Sequence, residues 1–231
     1  MRLAKALWSL WLIALLPSGV GSLRAVQIQI CTEDSFVPNY ISQLDALIRW
    51  REFPIRLYFV RDEHYTSKRQ QLAIEGFQQW VRLTDEKIRF VLTNDEQEAQ
   101  VRVRFDPSTA AGRTDCSYYP ERRELDKVEI VIGVRGDVPA NIQSVSVHEF
   151  GHALGIVGHS DDPKDAMYPR YTLGVSARLS QRDLNVIKTV YCELFEGGRV
   201  LPMEERTRGL PSSRDLPRKI RIVCDRQTKD R

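Results

Sequence analysis

Apolar and polar side chains alternate at residues 55–60, Ile55-Arg56-Leu57-Tyr58-Phe59-Val60, the period of a strand with one buried face. The period then changes. Leu72, Ile74, Phe77, Trp80 and Val81 fall at helical spacing, so residues 66–83, opened by Thr66 or Ser67, read as a helix with one apolar stripe. Alone, Trp80 could pass for a binding aromatic, but its place in that stripe makes it core. Residues 88–92 and 99–105 form two further strands, the second alternating at Val101, Val103 and Phe105. Residues 128–134 are rich in Val and Ile and predict a strand buried on both faces. Helices are expected over residues 141–155 and from Ser180 onward. Ser180-Gln181-Arg182-Asp183 has the form of a capping box, which makes Asp183 a scaffold residue rather than a catalytic one. Strands alternating with helices, with no internal repeat, point to one α/β domain.

The ends differ in character. Residues 1–25 carry Arg2 and Lys5, then an apolar run over 6–16, then Pro17, Gly19, Gly21 and Ser22, the layout of a signal peptide cut between Gly21 and Ala25. The run is shorter than the roughly 20 residues that a membrane span needs. An uncleaved anchor over residues 3–20 is the alternative. The expected product is secreted or periplasmic. The chain then divides into an N-terminal extension over 26–44, a domain over 45–193 and a basic tail over 194–231.

The formal net charge of +3 implies no dominant electrostatic partner, and neither a nucleic acid nor a stable membrane span is expected. The positive excess gathers in the tail, from Arg206 to Arg231, among Pro202, Pro211 and Pro217, and reads as an extended, solvated segment. The expected state is a monomer. Cys31, Cys116, Cys192 and Cys224 allow three disulfide pairings, and an exported chain favours such bridges. Cys31 and Cys224 lie outside the expected domain, so a bridge could tie an extension onto it.

Three of the four histidines fall between positions 148 and 159, in His148-Glu149-Phe150-Gly151-His152-Ala153-Leu154-Gly155-Ile156-Val157-Gly158-His159. Residues four apart share a helix face, so His148 and His152 can offer two imidazoles to one metal. Glu149 can reach a water on that metal without being a ligand. Gly155 can take the left-handed conformation that ends a helix, and His159 then returns as a third ligand. Three protein ligands and an open position describe catalytic zinc, whereas a structural site is closed by four. Two histidines at helical spacing are often ordinary residues, but the glycine stop and the third histidine argue against chance here.

This stretch, with Ala166-Met167-Tyr168-Pro169-Arg170-Tyr171 and Leu179-Ser180-Gln181-Arg182-Asp183-Leu184, resembles the metzincin zinc peptidases, most closely the matrixins. The resemblance covers about residues 45–193. It implies a metzincin-like zincin fold: a twisted mixed sheet of about five strands with three helices, and an active-site helix followed by a Met-turn. It also implies that Met167 underlies the three histidines and that Pro169 and Tyr171 line the substrate pocket. Residues 115–119 would be the antiparallel edge of the sheet, holding an extended polypeptide substrate by main-chain hydrogen bonds.

The chain departs from the family pattern at one point. Ile156, Val157 and Gly158 separate Gly155 from His159, one residue more than matrixins have. The ligand position of the pattern thus falls on Gly158, which has no side chain, and His159 is the natural substitute. Asp161 and Asp162 are alternative oxygen ligands. His64 alone cannot rebuild the family's histidine-held second zinc; calcium stays an open expectation, with no clear Asp/Gly-rich loop to support it. No Pro-Arg-Cys-Gly element of the kind that inhibits matrixins occurs in the chain. Cys31 could cap the zinc, although a disulfide is the better expectation.

The function expected is that of a zinc-dependent endopeptidase using one zinc-activated water, with Glu149 as general base. The alternatives are a non-catalytic peptide-binding pseudoprotease and a metal-dependent amidase acting on cell-wall peptides.

Overall fold

The computed structural model describes residues 31–197 and 216–224. The expected signal peptide and most of the basic tail lie outside them. Eight strands and three α-helices form the described chain: β1 (Ala46–Leu47), β2 (Ile55–Phe59), α1 (Ser67–Leu83), β3 (Phe90–Leu92), β4 (Val101–Asp106), β5 (Gly112–Tyr119), β6 (Glu124–Gly133), α2 (Pro139–Ala153), β7 (Ile156–Val157), α3 (Gln181–Val190) and β8 (Arg218–Val223). Six of the strands make one mixed sheet in the order β3-β2-β4-β6-β5-β8. β3, β2, β4 and β6 run parallel, while β5 runs antiparallel to both β6 and β8. The α/β sheet of about five strands with three helices is therefore present, with a sixth strand added.

Local chemistry explains the elements. Along β4, Val101, Val103 and Phe105 are buried and the residues between them are less so, as a pleated strand with one core face requires. β6 ends in four consecutive buried residues, as expected for a strand lying inside the sheet. Thr66 caps α1 by accepting a hydrogen bond from the Arg69 N–H at 3.1 Å. Pro139 opens α2, where its missing N–H costs nothing. Ser180 and Asp183 form the capping box of α3.

α1 and α2 meet through aromatic rings. Phe77 and Phe150 stack at 4.5 Å between centroids, and Phe77 also faces Phe59 at 6.3 Å. Trp80 is fully buried, and its indole N–H donates to the Val147 carbonyl at 2.8 Å. That confirms its place in the core and joins α1 to the histidine-bearing helix.

The segment before the expected domain boundary at 45 is docked. Tyr40 and Ile41 are buried in the core, and Asn185 donates to the Pro38 carbonyl at 2.8 Å. Trp50 is buried as well, its indole donating to the Ala153 carbonyl at 2.8 Å. Cys31 is joined to Cys192, 161 positions away, just after α3. This settles one of the open pairings and removes Cys31 as a thiol for the metal. Replacing Cys31 by Ser is expected to cost about 2–5 kcal/mol, because the bridge closes a very long loop in the unfolded chain. Urea denaturation of the oxidised wild type and the variant measures it; a difference within error would show that the docked segment holds without the bridge.

The larger surprise is β8. Residues 218–223 were expected in a solvated tail, yet they pair with β5 from Arg113↔Val223 to Tyr118↔Arg218. Residues 220, 222 and 224 share one face of that strand. On that face Ile222 is buried in the core cluster and Ile220 packs against it; Lys219 and Arg221 on the opposite face, and Arg218 at the start of the strand, are exposed.

Candidate metal centre

α2 is buried along most of its length, so its polar residues need partners inside the protein. His148 and His152 find theirs in backbone carbonyls. The Nδ1–H of His148 donates to Ala166 O, and that of His152 to Ile156 O, each at 2.7 Å. Committing each proton to Nδ1 leaves the Nε2 lone pair as the inward-facing donor atom. The two Nε2 atoms are 3.0 Å apart. Two bare lone pairs at that distance repel unless a cation lies between them.

His159 closes the third side despite the longer turn. Gly155 has φ +104°, and a side chain there would collide with the Ile48 carbonyl. Gly158 has φ +118°. Between these two glycines, Ile156 and Val157 form β7, antiparallel to β1, with Leu47↔Ile156 and Ala46↔Val157 in register. The extra residue is thus absorbed in a short strand pair, which returns the chain toward the helix. The His159 ring lies 5.2 Å from that of His148 and 5.0 Å from that of His152, between centroids. Asp161 and Asp162, the alternative ligands, instead face Arg182 at 3.2 and 3.6 Å.

A fourth donor, which no local sequence pattern signals, is Cys224. Its Sγ lies 3.1 Å from His148 Nε2, 3.4 Å from His159 Nε2 and 3.5 Å from His152 Nε2. All four ligand atoms fall within 4.8 Å of one another, the one such grouping of His, Cys, Asp or Glu among the described residues. Zinc–nitrogen bonds of about 2.0–2.1 Å and zinc–sulfur bonds of about 2.3 Å set tetrahedral ligand atoms roughly 3.3–3.6 Å apart. The spacing of the cluster and its soft N/S donor set both fit zinc.

Burial lowers the pKa of each histidine, that of His148 to about 4 and that of His152 well below the ordinary value, so the imidazoles stay neutral as ligands must. Glu149 is fully buried beside them. Its Oε2 accepts the Thr114 hydroxyl at 2.6 Å, while Oε1 has no partner of normal hydrogen-bond geometry among the described residues. Burial pushes its pKa up to about 8, against the lowering effects of Thr114, the neighbouring Cys224 thiol and the Arg113 charge. A buried carboxylate of raised proton affinity is suited to accepting a proton near neutral pH.

Met167 is buried where its sulfur meets the face of Gly151, the helical residue just before His152. A Cβ at Gly151 would sit 2.3 Å from that sulfur. The Met-turn thus packs directly against the helix that carries the ligands. Pro169 and Tyr171 follow on the segment leaving Met167, both half-buried, with the Tyr171 hydroxyl donating to the Ala110 carbonyl ahead of β5.

A histidine pair one helical turn apart, a third histidine beyond a glycine turn, a buried glutamate and an underlying methionine together have the arrangement of a zincin metal site. The matrixin family model matches residues 59–192, more than half of the chain, and the chain belongs to that family. It is 35% identical over 88 residues to the 72 kDa type IV collagenase of Gallus gallus, a match covering 38% of this chain and 13% of that protein. It is 45% identical over 51 residues to the interstitial collagenase of Bos taurus, covering 22% and 11%. Over 53 residues it is also 45% identical to the macrophage metalloelastase of Rattus norvegicus, again 22% and 11%. The chain therefore spans only about an eighth or less of these relatives' length.

Proposed function

We propose that the chain is an exported zinc-dependent endopeptidase, with His148, His152 and His159 holding the metal and Glu149 acting as general base. The observation that carries this reading is the convergence of three imidazole Nε2 atoms beside a buried carboxylate on one helix. Zinc, when bound, acidifies a water and polarises the scissile carbonyl. Glu149 takes up the proton of the attacking water at its carboxylate and returns it to the departing nitrogen. Thr114 holds one carboxylate oxygen, so the side chain keeps a single orientation through both transfers. Met167 supplies the floor that keeps the two helical histidines in place. Pro169 and Tyr171 shape the pocket for a substrate side chain, and a polypeptide lies extended along β5.

Export is supported by the Cys31–Cys192 disulfide, which persists in oxidising compartments. It is also supported by the pattern of residues 1–25. No described helix is long and apolar enough to cross a membrane. The relatives are named for collagen and elastin, and casein, which lacks stable structure, is the broader first substrate.

The test uses the full chain carrying Cys224→Ala, because that thiol sits among the three imidazoles. This variant is expected to retain one zinc per chain and to cleave casein. A chelator should abolish cleavage and added zinc should restore it. Zinc-loaded protein that leaves casein intact would sink the peptidase reading.

A further inference from the structure

The described chain blocks its own site twice, with β8 on the sheet and Cys224 at the histidines. β5 is the strand along which an extended peptide would lie, yet its outer edge is taken by β8 over six paired positions. The Cys224 N–H continues the ladder by donating to the Gly112 carbonyl at 3.3 Å. The pairing is anchored at several points. Ile222 is buried, Ile220 packs on the core, and the Arg221 guanidinium donates to Asp115, directly opposite it in the register. The pleat then decides where Cys224 points. Two residues beyond Ile222, it faces the same inward side, which brings its sulfur to the imidazoles.

We propose that the C-terminal strand is a built-in inhibitor, in which Cys224 is the fourth ligand of the zinc and β8 occupies the peptide-binding edge. This rests on the peptidase reading and adds its regulation. A zinc held by three histidines and one thiolate is closed, with no position left for water, as in structural sites. Because thiol and strand are tethered, they compete with substrate at a high effective concentration. A release that lifts β8 from β5 would open the metal and the edge together. The device thus couples metal access to strand pairing, and no separate inhibitory segment is needed to explain it.

The experiment compares full-length wild type with two full-length variants, Cys224→Ala and Ile222→Asp. The second keeps the thiol but puts a charge on the buried face of β8, so it tests strand release without touching the site. Cobalt(II) loaded in place of zinc reports ligation through the thiolate-to-cobalt charge-transfer absorption, and casein cleavage by the zinc forms reports access. The wild type is expected to show the band, and both variants to lose it and cleave casein roughly tenfold faster or more, the scale of losing a tethered competitor. A wild type without the band overturns ligation by Cys224. A band that is present while both variants cleave no faster than a measurably active wild type overturns inhibition. A band that behaves as expected in three proteins that never cleave casein locates the failure in the peptidase reading, and the inhibitory role falls with it.

Discussion

In the full chain carrying Cys224→Ala, adding Glu149→Gln is expected to lower kcat by about 10²–10⁴, the usual contribution of a positioned general base, while zinc content stays at one per chain. The substitution is close to isosteric. Its amide oxygen can still accept the Thr114 hydroxyl that now meets Oε2 at 2.6 Å, so the local packing is kept. What the amide cannot do is hold a proton. The carboxylate it replaces is fully buried, and burial raises its proton affinity, so this group is matched to taking a proton from water near neutral pH. The loss should fall on kcat, with KM changing little, because the interaction is made in the transition state. Metal analysis of the same preparation separates a lost base from a lost ion. A double variant that cleaves within a few-fold of the Cys224→Ala parent would remove Glu149 from the mechanism.

The parts of this site that could be read from the chain are those carried by short-range spacing. His148 and His152 are one helical turn apart, so the helix alone brings their rings together. The four-residue pattern from Ser180 predicts Asp183 in the cap of α3, and it is found there. His159 was legible only in part. Its reach depends on β7 pairing with β1, two residues against two from more than 100 positions earlier, a contact too short to leave a periodic signal.

β8 and Cys224 show the opposite limit. Ile220, Ile222 and Cys224 do alternate with Lys219, Arg221 and Val223, which is the one signal that could have revealed the strand. Three basic residues and a preceding proline made the segment look solvated instead. Nothing local could name β5 as its partner, since the pairing spans about 100 residues and its register is set by burial of Ile222. The disulfide was hidden for a similar reason. Four cysteines allow three pairings, and only the docking of residues 31–50 against the end of α3 selects Cys31–Cys192.

Asp183→Ala is expected to be the most damaging substitution for stability, at about 3–5 kcal/mol. The carboxylate is fully buried, and four donors converge on it. The Tyr40 hydroxyl and the Ser180 and Ala166 N–H groups reach it at 2.7, 2.8 and 2.9 Å, with the Met167 N–H at 3.4 Å. Those donors come from three places: the docked N-terminal segment, the cap of α3 and the Met-turn. Removing the acceptor strands at least three of them inside the protein, and each buried, unsatisfied donor costs about 1–3 kcal/mol. Asp183→Asn should cost less, because one oxygen remains, but its amide hydrogens then face other donors. The effect should also reach the metal. Ala166, whose N–H Asp183 holds, offers its carbonyl to His148 Nδ1, so loosening the Met-turn frees a ligand ring. Zinc affinity is therefore expected to fall in Asp183→Ala although Asp183 does not touch the site. Denaturation in urea, together with competition for zinc against a chelator, measures both effects. Asp161→Ala is the control, an exposed carboxylate of the same charge paired with Arg182. Equal denaturation midpoints for the two variants would show that the four-donor cluster does not hold the domain together.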